Sequence, residues 1–118
     1  MEQEYIKGDI VMYDNRIHTI MDTLELNNYE LSYIRYQVNQ LELSGVPITT
    51  EILEKNGWES INGKYALKIK NANYVVLEFT EDGIYAYINE KTMLFTIKYI
   101  HELQHLLFGF GINHEMDV

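Results

Sequence analysis

The chain has 118 residues, enough for one domain with a core of its own. Apolar residues make up 47% and there is a single Pro, which excludes a disordered tail and Pro-rich low-complexity sequence. Nine Lys and Arg against 18 Asp and Glu give a net charge of −9, which argues against non-specific binding to a phosphate backbone, and the lack of Cys removes disulfides, thiolate metal sites and Cys nucleophiles.

The opening Met1-Glu2-Gln3-Glu4-Tyr5 lacks the basic start and apolar core of a signal peptide. No stretch approaches the roughly 18 consecutive apolar residues of a membrane span. A cytoplasmic protein without membrane contact is expected. Residues 1–45 hold eight acidic and three basic residues (−5), and residues 46–118 hold ten and six (−4). That even spread reads as a solubilising surface. An acidic mimic of nucleic acid is the sharper alternative.

Lys7-Gly8-Asp9 leads into a strand over Ile10 to Tyr13, Asp14-Asn15 turns it, and Ile17 to Met21 returns. Leu24-Glu25-Leu26 precedes a second turn at Asn27-Asn28. Tyr29 to Val38 fits a helical period at Leu31, Ile34, Val38 and Leu41. Its Tyr, Ile and Val content, its missing cap and the alternation of Ile34, Tyr36 and Val38 favour a strand. Leu41 to Leu43 is a further short strand, ended by Ser44-Gly45. These N-terminal β hairpins cover about 5–44.

After Pro47, Thr49 or Thr50 caps a helix over about 49–56, Glu51 suits its first turn, and Asn56-Gly57 stops it. Trp58 is placed to fold back onto the core. A β meander spans about 64–95: Tyr65 to Lys70, a turn at Asn71-Ala72-Asn73, Tyr74 to Thr80, a turn at Glu81-Asp82-Gly83, Ile84 to Asn89 and Thr92 to Phe95. A last helix over about 97–108 puts Ile100, Leu103, Leu106, Leu107 and Phe110 on one face, with Lys98, His101, Glu102 and His105 on a polar, solvated one. The tail from Ile112 to Val118 reads as frayed. The expected fold is α+β, one domain over 1–118: antiparallel hairpins resembling a small barrel, a short middle helix, a meander and an amphipathic C-terminal helix.

His101-Glu102-Leu103-Gln104-His105 matches the H-E-x-x-H pattern. Two His at i and i+4 share a helix face and can bind one Zn²⁺, and the Glu can act as general base on a metal-bound water. A catalytic zinc also needs a third protein ligand. The metzincin extension would put Gly at position 108 and His at 111, which are Phe108 and Gly111 here. His18, His114 and Glu115 have no context that makes them ligands. The expectation is therefore no catalytic residue and no cofactor. The alternative is a small zinc-dependent hydrolase with Glu102 catalytic and His101 and His105 on the metal. Gly109-Phe110-Gly111 is too short for a dinucleotide loop, and Glu81-Asp82-Gly83 lacks the spaced acids of a calcium loop. Any exposed part of Trp58, Tyr85 and Tyr87 is the first candidate interaction surface, because Tyr and Trp suit interfaces.

Three blocks carry a resemblance. Residues 47–58, Pro47 through Asn56-Gly57-Trp58, resemble a P-L-T-x-E-x-L-x-x-N-G-F block, and Lys98 through Phe108 resemble a K-Y-V-H-E-L-Q-N-L-Y-F helix. Gly8-Asp9-Ile10-Val11 with Ile17-His18-Thr19-Ile20 resembles a first hairpin of the same proteins. These are small uncharacterised phage and prophage proteins of Bacteroides-type bacteria. The resemblance implies one compact unit of mobile-element origin and carries no functional residue over. It also implies Asn at the position of His105, so the H-E-x-x-H match reads as drift on a structural helix. The function expected is a non-enzymatic accessory module that contacts an unknown protein partner, with no direct nucleic-acid contact and an open oligomeric state.

Overall fold

The computed structural model describes residues 5–24, 27–69, 73–89 and 92–118. The acidic opening 1–4, most of the Leu24-Glu25-Leu26 stretch and most of the Asn71-Ala72-Asn73 turn lie outside them. The fold is α+β and its sheets are antiparallel. The chain divides into two compact units: residues 1–47 with 99–115, and residues 48–98 with 116–118. Among the described residues no helix is long and apolar enough to cross a membrane.

The first unit holds a five-stranded sheet in the order β4-β3-β2-β1-β5. Its strands are β1 (Ile10–Tyr13), β2 (Arg16–Thr23), β3 (Asn28–Leu31), β4 (Val38–Asn39) and β5 (Ser44–Gly45). Asp14 and Asn15 both take left-handed backbone, φ 50 and 62, which is the turn chemistry that suits a two-residue hairpin. The core of this unit gathers Tyr5, Val11, Ile20, Tyr29, Leu31, Val38 and Leu43, with Tyr13 and Ile34 packed against it. The C-terminal helix α2 (Ile100–Gly109) packs on β1, with Ile100, Leu103, Leu106 and Leu107 buried.

Two expected strands take other forms. Tyr29 to Val38 is not continuous: after Leu31 the chain turns, Ile34 N–H donates to Leu31 O, and Tyr33 is left-handed at φ 64. Leu41 to Leu43 is replaced by a 3-10 turn over Gln40–Glu42. The physical reason is a capping box. Asn39 Oδ1 accepts Leu41 N–H at 2.9 Å, and Glu42 Oε2 accepts Asn39 N–H at 3.1 Å.

The second unit holds a sheet in the order β10-β9-β8-β7-β6. Its strands are β6 (Glu59–Ile61), β7 (Lys64–Lys68), β8 (Tyr74–Thr80), β9 (Gly83–Ile88) and β10 (Thr92–Ile97). Asn62 and Gly63, at φ 51 and 80, make a β6–β7 hairpin that the meander reading began too late to include. Helix α1 (Thr50–Lys55) is capped by Thr49, whose Oγ1 accepts Ile52 N–H at 3.2 Å. Leu53, Trp58, Val75, Leu77, Ile84, Ala86 and Ile97 are buried. The tail is pinned here: Asp117 N–H donates to Asn56 Oδ1 at 2.8 Å, and Asn56 Nδ2 donates back to Asp117 O at 2.7 Å.

Gly45 in β5 lies against the ring of Tyr99, and a Cβ there would sit under 3.0 Å from three of its atoms. Overpacking of this kind costs about 1–3 kcal/mol, so Gly45→Ala is expected to lower unfolding free energy by that amount in urea titration. An unchanged midpoint would show that Tyr99 moves aside freely.

Candidate functional site

The H-E-x-x-H segment opens α2. Tyr99 is the N-cap, extended at φ −119 and ψ 152, and Glu102 is the third helical residue. From there its Oε1 accepts the backbone N–H of Tyr99 at 2.9 Å. Reaching back in this way is what a carboxylate at that position does when an orphan N–H precedes it. The group that would act as general base on a metal-bound water is thus engaged at its own helix terminus.

The two histidines lie one turn apart with ring centroids 5.9 Å apart and planes at 76°. His101 is buried, 5% exposed, stacked on Tyr99 at 5.8 Å and edge-on to Tyr5 at 4.9 Å. His105 turns the other way: its Nε2 lies 2.7 Å from Oδ2 of Asp9, whose side chain is wholly buried. The same Oδ2 accepts Ile6 N–H at 2.9 Å, and Asp9 N–H returns to Ile6 O at 3.0 Å, closing a turn that needs Gly8 at φ 94. A buried carboxylate requires such partners, because an isolated charge out of water is strongly unfavourable. The bond to Asp9 raises the pKa of His105 above its ordinary value, partial burial opposes the rise, and the charges of Asp9 and Glu102 add to it.

Between the histidines, Gln104 is fully buried and its amide is directed at the backbone. Its Oε1 accepts Ile10 N–H at 2.9 Å, while its Nε2 donates to Gly8 O at 2.9 Å and to His114 O at 3.0 Å. The polar sector of α2 is therefore not a solvated face, as its spacing suggests. His101 and Gln104 are interior, and His105 and Glu102 are half-buried. Asp9 and Gln104 escaped the sequence reading. Their one signal was Lys7-Gly8-Asp9, a turn that places an acid just before a strand.

Of the remaining candidates, His114 borders this cluster through the backbone O that Gln104 reaches. His18 is buried beside Tyr13 and its Nδ1 meets Ser32 O at 2.7 Å. His114 stands edge-on to Phe108 at 5.2 Å. Among the described residues no group of three or more His, Asp or Glu is arranged to hold a metal ion. In the second unit Trp58 is 4% exposed, so it offers no docking surface of its own. Tyr85 and Tyr87 are half-buried on one face of β9. Tyr87 donates its hydroxyl to Glu78 Oε1 at 3.2 Å, and Lys64 Nζ stands 3.9 Å from Glu78 Oε2.

No protein-family model, no curated protein and no solved structure matches the chain.

Two outcomes are expected from this geometry. Gln104→Leu strands Ile10 N–H in the interior and removes three hydrogen bonds. At about 1–3 kcal/mol for a buried group left unsatisfied, a loss of roughly 2–4 kcal/mol in chemical unfolding is expected. His105 has a raised folded pKa, so its contribution is complete below its ordinary value of about 6.5 and fades as pH rises through the folded value. The stability gap between the native chain and His105→Gln is accordingly expected to shrink from pH 6 to pH 9. A constant gap would mean that the Asp9 contact does not depend on the charge of the imidazole.

Proposed function

We propose that the chain is a non-enzymatic protein-interaction module. One observation carries this: Glu102, Gln104 and His105 of the H-E-x-x-H helix are hydrogen-bonded inside the first unit. Glu102 bonds Tyr99 N–H, His105 Nε2 bonds Asp9, and His101 is stacked in the interior. Zinc binding through Nε2 of His105 would have to displace a buried carboxylate from its partner, and hydrolysis would need Glu102 to leave its helix terminus. Both changes oppose the packing of α2. The phage or mobile-element origin rests on the sequence blocks at residues 47–58 and 98–108. A cytoplasmic location rests on composition and on the absence, among the described residues, of a helix fit to cross a membrane. The net charge of −9 supports a partner other than a nucleic-acid backbone.

Metal analysis of tag-free protein tests the central point. Less than about a tenth of an equivalent of zinc is expected, with no peptidase activity after zinc addition. One equivalent of zinc that is lost in His101→Ala, together with hydrolysis that is lost in Glu102→Gln while zinc stays bound, would overturn it.

A further inference from the structure

The chain has two arginines, Arg16 and Arg35, and both are exposed on the first unit. This unit is also where the acid is concentrated. It holds ten acidic and three basic residues, a net −7, against eight and six, a net −2, in the second. A guanidinium here has carboxylates in plenty, yet neither arginine makes an ion pair or side-chain hydrogen bond among the described residues.

The two arginines occupy adjacent turns. Arg16 pairs directly across from Tyr13 at the tip of β1 and β2, so their side chains share a sheet face. The Tyr13 hydroxyl lies 3.2 Å from that of Tyr36, the residue after Arg35, and this contact ties the hairpin tip to the β3–β4 loop. The bond to Tyr36, some burial and the nearby charges of Glu42 and Asp14 push the Tyr13 hydroxyl up to about 12, so the negative charge at this tip comes from those carboxylates and not from the phenol.

The loop displays its aromatic residues and is held while doing so. Tyr33 is 96% exposed and Tyr36 62%. Tyr33 also has a left-handed backbone, φ 64, which is unfavourable for a residue with a large side chain. Its anchors surround it. Ser32 N–H donates to Thr19 O at 3.0 Å, Thr19 N–H donates to Ser32 Oγ at 3.0 Å, and buried His18 holds Ser32 O. An open cavity of about 670 Å³ runs beside the loop, lined by Met21, Leu31, Ile34, Tyr33 and Arg35 among others. Glu30 shares that lining without pairing to Arg35.

Exposed tyrosine and arginine on a rigid support are the residue types that dominate binding energy at protein interfaces. We propose that this surface docks an extended segment of a partner protein that carries a small number of carboxylates. The carboxylates pair with Arg16 and Arg35, and apolar side chains of the segment lie against Tyr33 and Tyr36. The charge around the patch selects the occupant. The guanidinium groups act at contact range, while beyond a Debye length of about 8 Å the acid of the unit repels long polyanions. A nucleic-acid strand, charged at every nucleotide, is disfavoured for that reason. This inference rests on the module reading above and specifies the partner.

The test pans a displayed library of random short peptides on the full chain, then measures a selected peptide by fluorescence anisotropy. Enriched peptides are expected to hold two or three Asp or Glu near an apolar residue. Binding is expected to fall at least about tenfold in R35E and in Y33A, and severalfold as salt rises from about 50 to 500 mM. A peptide with Lys in place of its acids is expected to bind the R16E/R35E double variant and not the native chain. Y33G removes the left-handed penalty, so it is expected to melt no lower than the native chain while losing the peptide. That separates lost contact from lost folding. Enrichment of peptides without acids, binding unchanged in R16E/R35E, tighter binding of oligothymidylate, or self-association through the patch would each overturn the proposal. Acidic-peptide binding by a protein that also held stoichiometric zinc would overturn the non-enzymatic reading and leave this surface standing. Zinc-free protein with no acidic binders would do the reverse.

Discussion

The start of the first unit's sheet depends on one buried amide. Gln104 satisfies the backbone on both sides of Asp9 and the carbonyl of His114, and two of those partners lie 94 and 96 residues away in the chain. Neither neighbouring strand supplies these bonds: β2 is engaged through Ile20 with Gly8 N–H and Asp9 O, and β5 pairs with Val11 and Met12. A buried N–H without a partner is strongly unfavourable, so the N-terminal edge of β1 is incomplete until α2 arrives. The segment that becomes the second unit stands between the two halves of the first. Closing a loop of that length adds only a slowly growing entropy cost, but it makes the defining contacts of the first unit non-local.

The same constraint decides what the H-E-x-x-H spacing meets in this fold. Spacing at i and i+4 puts two side chains on one helix face and leaves open what that face meets. In α2 the face meets protein: Tyr5 and Tyr99 around His101, and Asp9 at His105. Once Asp9 is committed to the interior by its turn with Ile6, it requires a cationic or donating partner, and His105 is the residue within reach. The imidazole thereby serves a carboxylate buried at the far end of the chain sequence. Glu102 completes the substitution of role, because any carboxylate at the third position of a helix is well placed to return to the cap.

Much of the fold was legible where turn chemistry and alternation agreed. Asp14-Asn15, Thr49, Asn56-Gly57 and Glu81-Asp82-Gly83 mark real boundaries, and β1 runs over the residues expected. Over 29–43 hydrophobic content points to strand, and capping decides otherwise. Asn39 and Glu42 form a capping box that alternation at Leu41 and Leu43 conceals, and Tyr33 breaks a run whose composition is that of a strand. The candidate site was legible only as a pattern of types. Which side of α2 faces solvent is a tertiary property, and the amphipathic count places His101 on the solvated side although it is buried. Polar residues enter interiors when the backbone there has groups to satisfy, and a single sequence does not show where those groups are.

Counted by halves of the sequence, the net charge of −9 is evenly divided and describes only solubility. Counted by the compact units, it divides as −7 and −2, because α2 and the residues after it belong with the N-terminal strands. Against a background of −7 the two arginines acquire a meaning that they lack in the composition. An unpaired guanidinium in a neutral surface is ordinary. Two of them on linked turns, beside the exposed Tyr33 and Tyr36 and unpaired with the nearby Asp14, Glu30 and Glu42, form a reversal of sign at contact range only. Such a reversal is short-ranged in salt, so it acts on groups brought into contact and not on distant charge. A surface of that kind discriminates by how many charges a partner carries as well as by their sign, and this is why a sparsely acidic peptide fits it better than a polyanion.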